Sequence, residues 1–124
     1  GAIPDCMKKM KNLRVLTLAD NLLTGDFVPT VDQMQSLQFL HLGGNSFDAT
    51  LDHNSLRDLK DLVRLDLSAT GLKGVVPRHF FGYPNLQALH LNDNELAGPL
   101  PVAIEEQANM EYLDVHKNQL TGDL

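Results

Sequence analysis

"NLRVLTLADNLLTGDFVP", residues Asn12 to Pro29, sets a short alternating apolar run ahead of Asn21, Leu23, Gly25 and Pro29. The same order returns in "LQFLHLGGNSF" from Leu37, "LVRLDLSATGLKGVVP" from Leu62, "LQALHLNDNELAGPLP" from Leu86 and "MEYLDVHKNQLTG" from Met110. Leu13, Leu37, Leu62, Leu86 and Met110 head these copies at spacings of 24, 25, 24 and 24 residues. A fixed period of this size means that each copy is one unit that cannot bury its apolar face alone and must stack on its neighbours.

Each position then has a mechanical reason. In "VLTLA", Leu16 and Leu18 alternate with Val15, Thr17 and Ala19, so one face of a strand is apolar and the other looks outward. Stacked copies bring the strands side by side in parallel, about 4.8 Å apart. Leu16, Leu40, Leu65, Leu89 and Leu113 form one core column, and Leu18, Leu42, Leu67, Leu91 and Val115 the next. Where the chain leaves the strand it bends inside the stack, and its backbone groups need partners there. An inward Asn side chain donates and accepts, so Asn21, Asn45, Asn94 and Asn118 are expected to join coil to coil. Thr70 takes that place in the third copy, where the ladder is expected to be weakest. Leu23, Phe47, Leu72, Leu96 and Leu120 point back into the core. Gly25, Gly74, Gly98 and Gly122 permit a close turn, and Pro29, Pro77 and Pro101 are expected to hold an extended path after it.

The pattern LxxLxLxxNxLxGxxP resembles the leucine-rich repeat family in its plant-type form, as in receptor-kinase ectodomains and polygalacturonase-inhibiting proteins of plants and in related algal proteins. The resemblance covers the whole chain and implies an α/β solenoid, a right-handed coil with a parallel concave sheet. It also implies short second strands and 3₁₀ or short helical pieces on the convex side. About five coils are expected, at residues 1–24, 25–48, 49–73, 74–97 and 98–124. Met7 and Met10, Leu56 and Leu59, and Phe80 and Tyr83 would pack inward from the convex side. The second coil departs from the pattern, with Ala49 for Gly, no Pro and one extra residue, so its return path should bulge. With neither a cap helix nor paired cysteines, the array is expected to be a window of a longer solenoid, its ends covered by further repeats or neighbouring subunits.

Bulk properties bound the function. At 43% apolar and 21% charged, the chain of 124 residues is that of a folded domain. A net charge of −6 argues against a general affinity for nucleic acid. No apolar run has the length of a membrane span, so no membrane insertion by this segment is expected. Cys6 is the single cysteine, which excludes an internal disulfide, and it is read as a small packing residue aligned with His79 and Ala103. Glu105 and Glu106 read as convex, solvated acids. No Asn-x-Ser/Thr sequon, nucleotide-binding motif or metalloprotease motif is present, and the sequence assigns no cofactor and no metal. The resemblance favours an extracellular or lumenal setting; the missing sequons and paired cysteines argue against it.

The outward strand positions form columns across the expected concave face. The first is Val15, Phe39, Arg64, Ala88, Tyr112, and the second Thr17, His41, Asp66, His90, Asp114. The third contains Ser68, Asn92 and His116, and small residues at Gly43, Gly44 and Ala69 would let a partner approach closely. Phe39 and Tyr112 flank Arg64, residue types enriched where interfaces concentrate their energy. The bland alternative is a set of solvated strand residues. The second column is read as a His-Asp-His-Asp cross-strand ladder, firmest in mild acid. A metal site of His90, Asp114 and His116 is a competing reading, set aside because three ligands on an open sheet are a weaker signal than a paired-cysteine motif. A triad of Ser68, His90 and Asp66 is another, set aside because nothing supplies an oxyanion hole or excludes water. The expected function is a non-enzymatic module that recognises a protein or peptide, or a glycan, through Phe39, His41, Arg64, Asp66, His90, Asn92, Tyr112, Asp114 and His116. The alternative is a structural accessory subunit inside a larger, membrane-associated assembly.

Overall fold

The computed structural model describes residues 1–101 and 109–122; Ala103, Glu105 and Glu106 lie outside them. Each copy of the repeat opens with a three-residue strand: β1 (Val15–Thr17), β2 (Phe39–His41), β4 (Arg64–Asp66), β6 (Ala88–His90) and β8 (Tyr112–Asp114). These five make one parallel sheet in the order β1-β2-β4-β6-β8, so the chain advances one coil per strand. Leu16, Leu40, Leu65, Leu89 and Leu113 are paired in register across it. The second strands β3 (Thr50–Leu51), β5 (Lys73–Gly74), β7 (Glu95–Pro99) and β9 (Gln119–Thr121) form a smaller parallel sheet on the flank. The solenoid expected from the period is the observed fold.

Leu40, Leu65 and Leu89 are buried, as are Leu42, Leu67 and Leu91. Leu113 differs: it lies 40% exposed on the outermost strand, which packs against β6 alone. From the convex side Leu56, Leu59, Phe80 and Tyr83 enter the core, where the Tyr83 hydroxyl donates to the Leu56 carbonyl at 2.5 Å. Burial pushes the Tyr83 phenol far above its ordinary pKa. Met7 packs partly against the core, but Met10 and Cys6 are exposed. Both lie in or beside the 3₁₀ turn over Asp5–Lys9, in which no residue is buried.

The strand exits share a backbone device. Asp20 (φ 56°), Gly44 (φ 72°), Ala69 (φ 52°), Asp93 (φ 60°) and Lys117 (φ 54°) stand at the same position and all are left-handed. That single reversal turns the next residue into the stack, where the amides work. Asn45 Nδ2 donates to Leu18 O and Leu42 O, both at 2.9 Å, and its Oδ1 accepts from Leu23 N at 3.1 Å. Asn94 repeats this one rung on, with Leu67 O at 2.9 Å, Leu91 O at 3.0 Å and Leu72 N at 3.0 Å. Asn118 does so again with Leu91 O at 2.8 Å and Leu96 N at 3.0 Å. Asn21, in the first coil, donates only within its own turn, to Leu18 O and Ala19 O. Thr70 Oγ1 donates its one proton to Leu67 O of its own coil at 2.7 Å and lies 3.2 Å from Asn94 Oδ1 of the next. Among the described residues its side chain makes no bond to the preceding coil, so that rung of the ladder is missing.

The return paths vary more than the strands do. Pro29 does not hold an extended path: it sits in the first turn of a short helix, α1 (Val28–Val31), whose Val28 N–H is capped by Asp26 Oδ1 at 3.0 Å. The φ that proline imposes suits a helix start as well as an extended chain. Pro77 is extended and leads into a 3₁₀ turn over Arg78–Phe81. The second coil returns through a series of turns. Asp52 and Ser55 brace them, with Asp52 N bonded to Ser55 Oγ at 2.9 Å, and Asp32 Oδ1 accepts Leu56 N at 2.7 Å from the preceding coil.

Candidate functional site

Strand register sets the outward side chains of the large sheet opposite one another: Phe39 beside Arg64, Arg64 beside Ala88, Ala88 beside Tyr112. Ala88 adds almost no bulk between Arg64 and Tyr112, which leaves a depression of about 450 Å³ lined by Phe39, Arg64, Gln87, His90, Glu111 and Tyr112. Phe39 is 39% and Tyr112 50% exposed, so two aromatic surfaces stand open to solvent at its edges. Such rings contribute large apolar area with few rotatable bonds, which suits them to anchor a partner.

The second column does not form one continuous ladder. His41 Nε2 lies 3.0 Å from Asp66 Oδ2, and that pair is made. His90 instead stacks on Tyr112, with ring centroids 4.7 Å apart and planes 26° from parallel. Its Nε2 is buried without a hydrogen-bond partner among the described residues. Asp66 is meanwhile occupied on its other oxygen by Ser68 N at 3.0 Å and Ser68 Oγ at 2.6 Å. Asp114 accepts from His116 Nδ1, a bond that holds its carboxyl below the usual carboxylate range. His116 Nε2 reaches toward Asp93 Oδ2 at 3.8 Å, and Asn92 Nδ2 donates to Asp93 at 2.7 Å. His–Asp pairing is thus split into two local clusters, because the Tyr112 face competes successfully for His90.

The same geometry bears on the competing readings. Ser68 Oγ bonds Asp66 directly, so Ser68, His90 and Asp66 do not form a serine–histidine–carboxylate relay. Among the described residues no three His, Cys, Asp or Glu side chains are grouped to hold a metal ion. The small residues are needed by the solenoid itself. A Cβ on Gly43 would lie 2.9 Å from Ser68 Oγ, and one on Gly44 would lie 2.2 Å from Asp20 Oδ1. Gly43 is therefore filled from within, and the open floor is at Ala88 instead.

Sequence reasoning missed Gln87 and Glu111 as lining residues; both immediately precede outward strand positions, which is the signal that marks them. It also missed a convex depression of about 410 Å³ lined by His53, Asn54, Arg57, Arg78, His79 and Gly82. Among the described residues no helix is long and apolar enough to cross a membrane.

A parallel coil of this period, with an asparagine ladder and an open concave sheet, is a leucine-rich repeat solenoid. The sequence model of the family described as leucine rich repeat matches residues 49–96 and 60–120. This chain belongs to that family, in its plant-type form. Over 126 aligned residues it is 33% identical to Receptor-like protein 53 of Arabidopsis thaliana, covering all of this chain and 13% of that protein. Its fold matches the ectodomain of the Arabidopsis receptor kinase HAESA, solved with an IDA peptide hormone ligand, at TM-score 0.91 and 32% identity, over 100% of this chain and 21% of that one. A plant ice-binding protein is similar at TM-score 0.89 and 32% identity, over 98% of this chain and 39% of that one. The chain spans about an eighth of the length of the curated relatives it matches.

Proposed function

We propose that this segment is part of a longer receptor-type solenoid and recognises an extended peptide or protein segment, without catalysis, on its concave face. The observation that carries the reading is the depression between Phe39 and Tyr112, with Arg64 and Glu111 offering opposite charges at its walls. A rigid sheet loses little conformational freedom when a partner docks, so few well-placed side chains suffice for useful affinity. The likeness to peptide-hormone receptor ectodomains supports this class of ligand. The likeness to an ice-binding protein shows that the same coil also serves other ends, so the side chains and not the coil must decide.

A display library of extended 12-residue peptides, selected on the full chain, tests the proposal. Peptides enriched on the native protein should lose binding to the Phe39→Ala, Arg64→Ala and Tyr112→Ala variants. Enriched peptides that bind all three variants as well as the native chain would move the site off this face. A protein that selects no peptide while binding ice crystals would replace the proposal altogether.

A further inference from the structure

His53, Asn54 and Arg57 on the return path of one coil and Arg78, His79 and Gly82 on that of the next line one convex depression. The repeat therefore brings two of the chain's four arginines and two of its five histidines to one convex depression. This concentration stands in a chain of net charge −6. We propose that the depression is a binding site for an oxyanion group, a phosphate or sulfate, held by Arg57 and Arg78 with the histidines at its rim.

Several observations favour a formed site over a chance cluster. Arg57 Nη1 donates to Asn54 Oδ1 at 3.3 Å, which restrains the guanidinium while leaving its other N–H groups unused by that bond. His79 Nε2 is bonded to Ser55 O at 2.6 Å; a carbonyl only accepts, so this nitrogen carries the proton, and Nδ1 can donate to an anion once the ring is protonated. Among the described residues neither arginine has a carboxylate within 4 Å. Two of the three acids near the depression, Asp32 and Asp52, are bonded to backbone N–H groups, and Asp58 is the third. Asp32 Oδ1 accepts Leu56 N at 2.7 Å, and Asp52 Oδ1 accepts Asn54 N at 2.8 Å. Guanidinium N–H groups converging on a phosphate or sulfate form short, charge-assisted bonds. The site is distinct from the concave face and does not depend on what that face binds.

His79 adds a pH dependence. It faces Arg57, Arg78 and His53 across the depression, with Asp32 and Asp58 nearby and the Phe80 and Tyr83 rings beside it. Burial, opposed by the Ser55 bond and reinforced by Arg57, holds its pKa below the ordinary histidine value. A bound oxyanion favours the charged imidazole, so affinity should rise as the pH falls through the pKa of the free protein.

Titration of the full chain with sodium sulfate, at constant ionic strength held with chloride, tests the site by the NMR shifts of the His53 and His79 ring protons. One saturable site is expected, tighter at pH 5.5 than at 7.5 and weakened about tenfold or more in Arg57→Gln and Arg78→Gln. Both positions are exposed, so these variants should keep the native spectrum; Arg57→Lys, which keeps charge but not the fork, should recover part of the affinity. Glucose 6-sulfate separates the sources: tighter binding than inorganic sulfate identifies an ester on a larger ligand, and equal binding identifies the free anion. Shifts that do not saturate, or that fall as much in a Lys8→Gln, Lys9→Gln control as in the arginine variants, would overturn the proposal.

Discussion

Replacing Asn94 by alanine isolates the amide ladder from the rest of the core. The side chain is 8% exposed. Its Oδ1 accepts from Thr70 N and Leu72 N, each at 3.0 Å. Its two Nδ2 protons go to Leu67 O and Leu91 O at 2.9 and 3.0 Å. Truncation strands two backbone N–H groups where the coil bends. A stranded buried donor costs about 1–3 kcal/mol, whereas carbonyls with a second lone pair are left short at lower cost. The two together come to about 2–6 kcal/mol, a large part of the roughly 5–15 kcal/mol by which domains are stable. Urea unfolding of the full chain measures it, with Asn21→Ala as the reference. Asn21 is exposed and bonds only its own turn, so its loss should cost under about 1 kcal/mol. Equal losses for the two variants, at unchanged m-value, would refute the view that the amide bonds between coils carry the stability. A fall in m for Asn94→Ala alone would mean that the coils on either side have begun to unfold separately.

Three further outcomes follow from the backbone and one half-buried histidine. Ala69 holds φ at 52° without the local hydrogen bonding that lets Asp adopt this region, so Ala69→Gly should raise stability by about 1 kcal/mol in thermal melts. Gly74 has φ 95°, and a Cβ there would lie 2.1 Å from the Leu51 carbonyl oxygen. Gly74→Ala should therefore cost about 2–4 kcal/mol by urea titration, and a cost near zero would mean that β5 can shift away from β3. Because the folded pKa of His79 is lowered, its contribution is full above the ordinary histidine pKa and declines as the pH falls toward the folded value. His79→Gln, which keeps a donor for Ser55 O, should flatten the loss of stability between pH 7 and pH 5; an unchanged slope would assign that loss to other groups.

Much of the coil was legible because its causes are local and repeated. The 24–25-residue period alone predicts the parallel register of Leu16, Leu40, Leu65 and Leu89, since stacked identical units leave no other alignment. Alternation within each three-residue strand told inward from outward side chains for the same reason. The return paths were harder to read. Pro29 was expected to extend the chain and instead opens a helical turn, because its fixed φ suits both and the capping Asp26 carboxylate selects one.

At the site, the sequence placed the outward residues in their columns, but only the tertiary structure decided which neighbours they take. His90 lies between two aspartates by register, yet it turns to the face of Tyr112 on β8. Asp66 is claimed by His41 and Ser68, and Asp114 by His116. The openness expected at Gly43 is taken up by Ser68 of the next coil, while Ala88 leaves the floor beside Arg64 free. A repeat period is a property of the chain and can be counted. Which of two partners a side chain prefers depends on distances and competing bonds among residues some 24 positions apart, and those exist only once the coils are stacked.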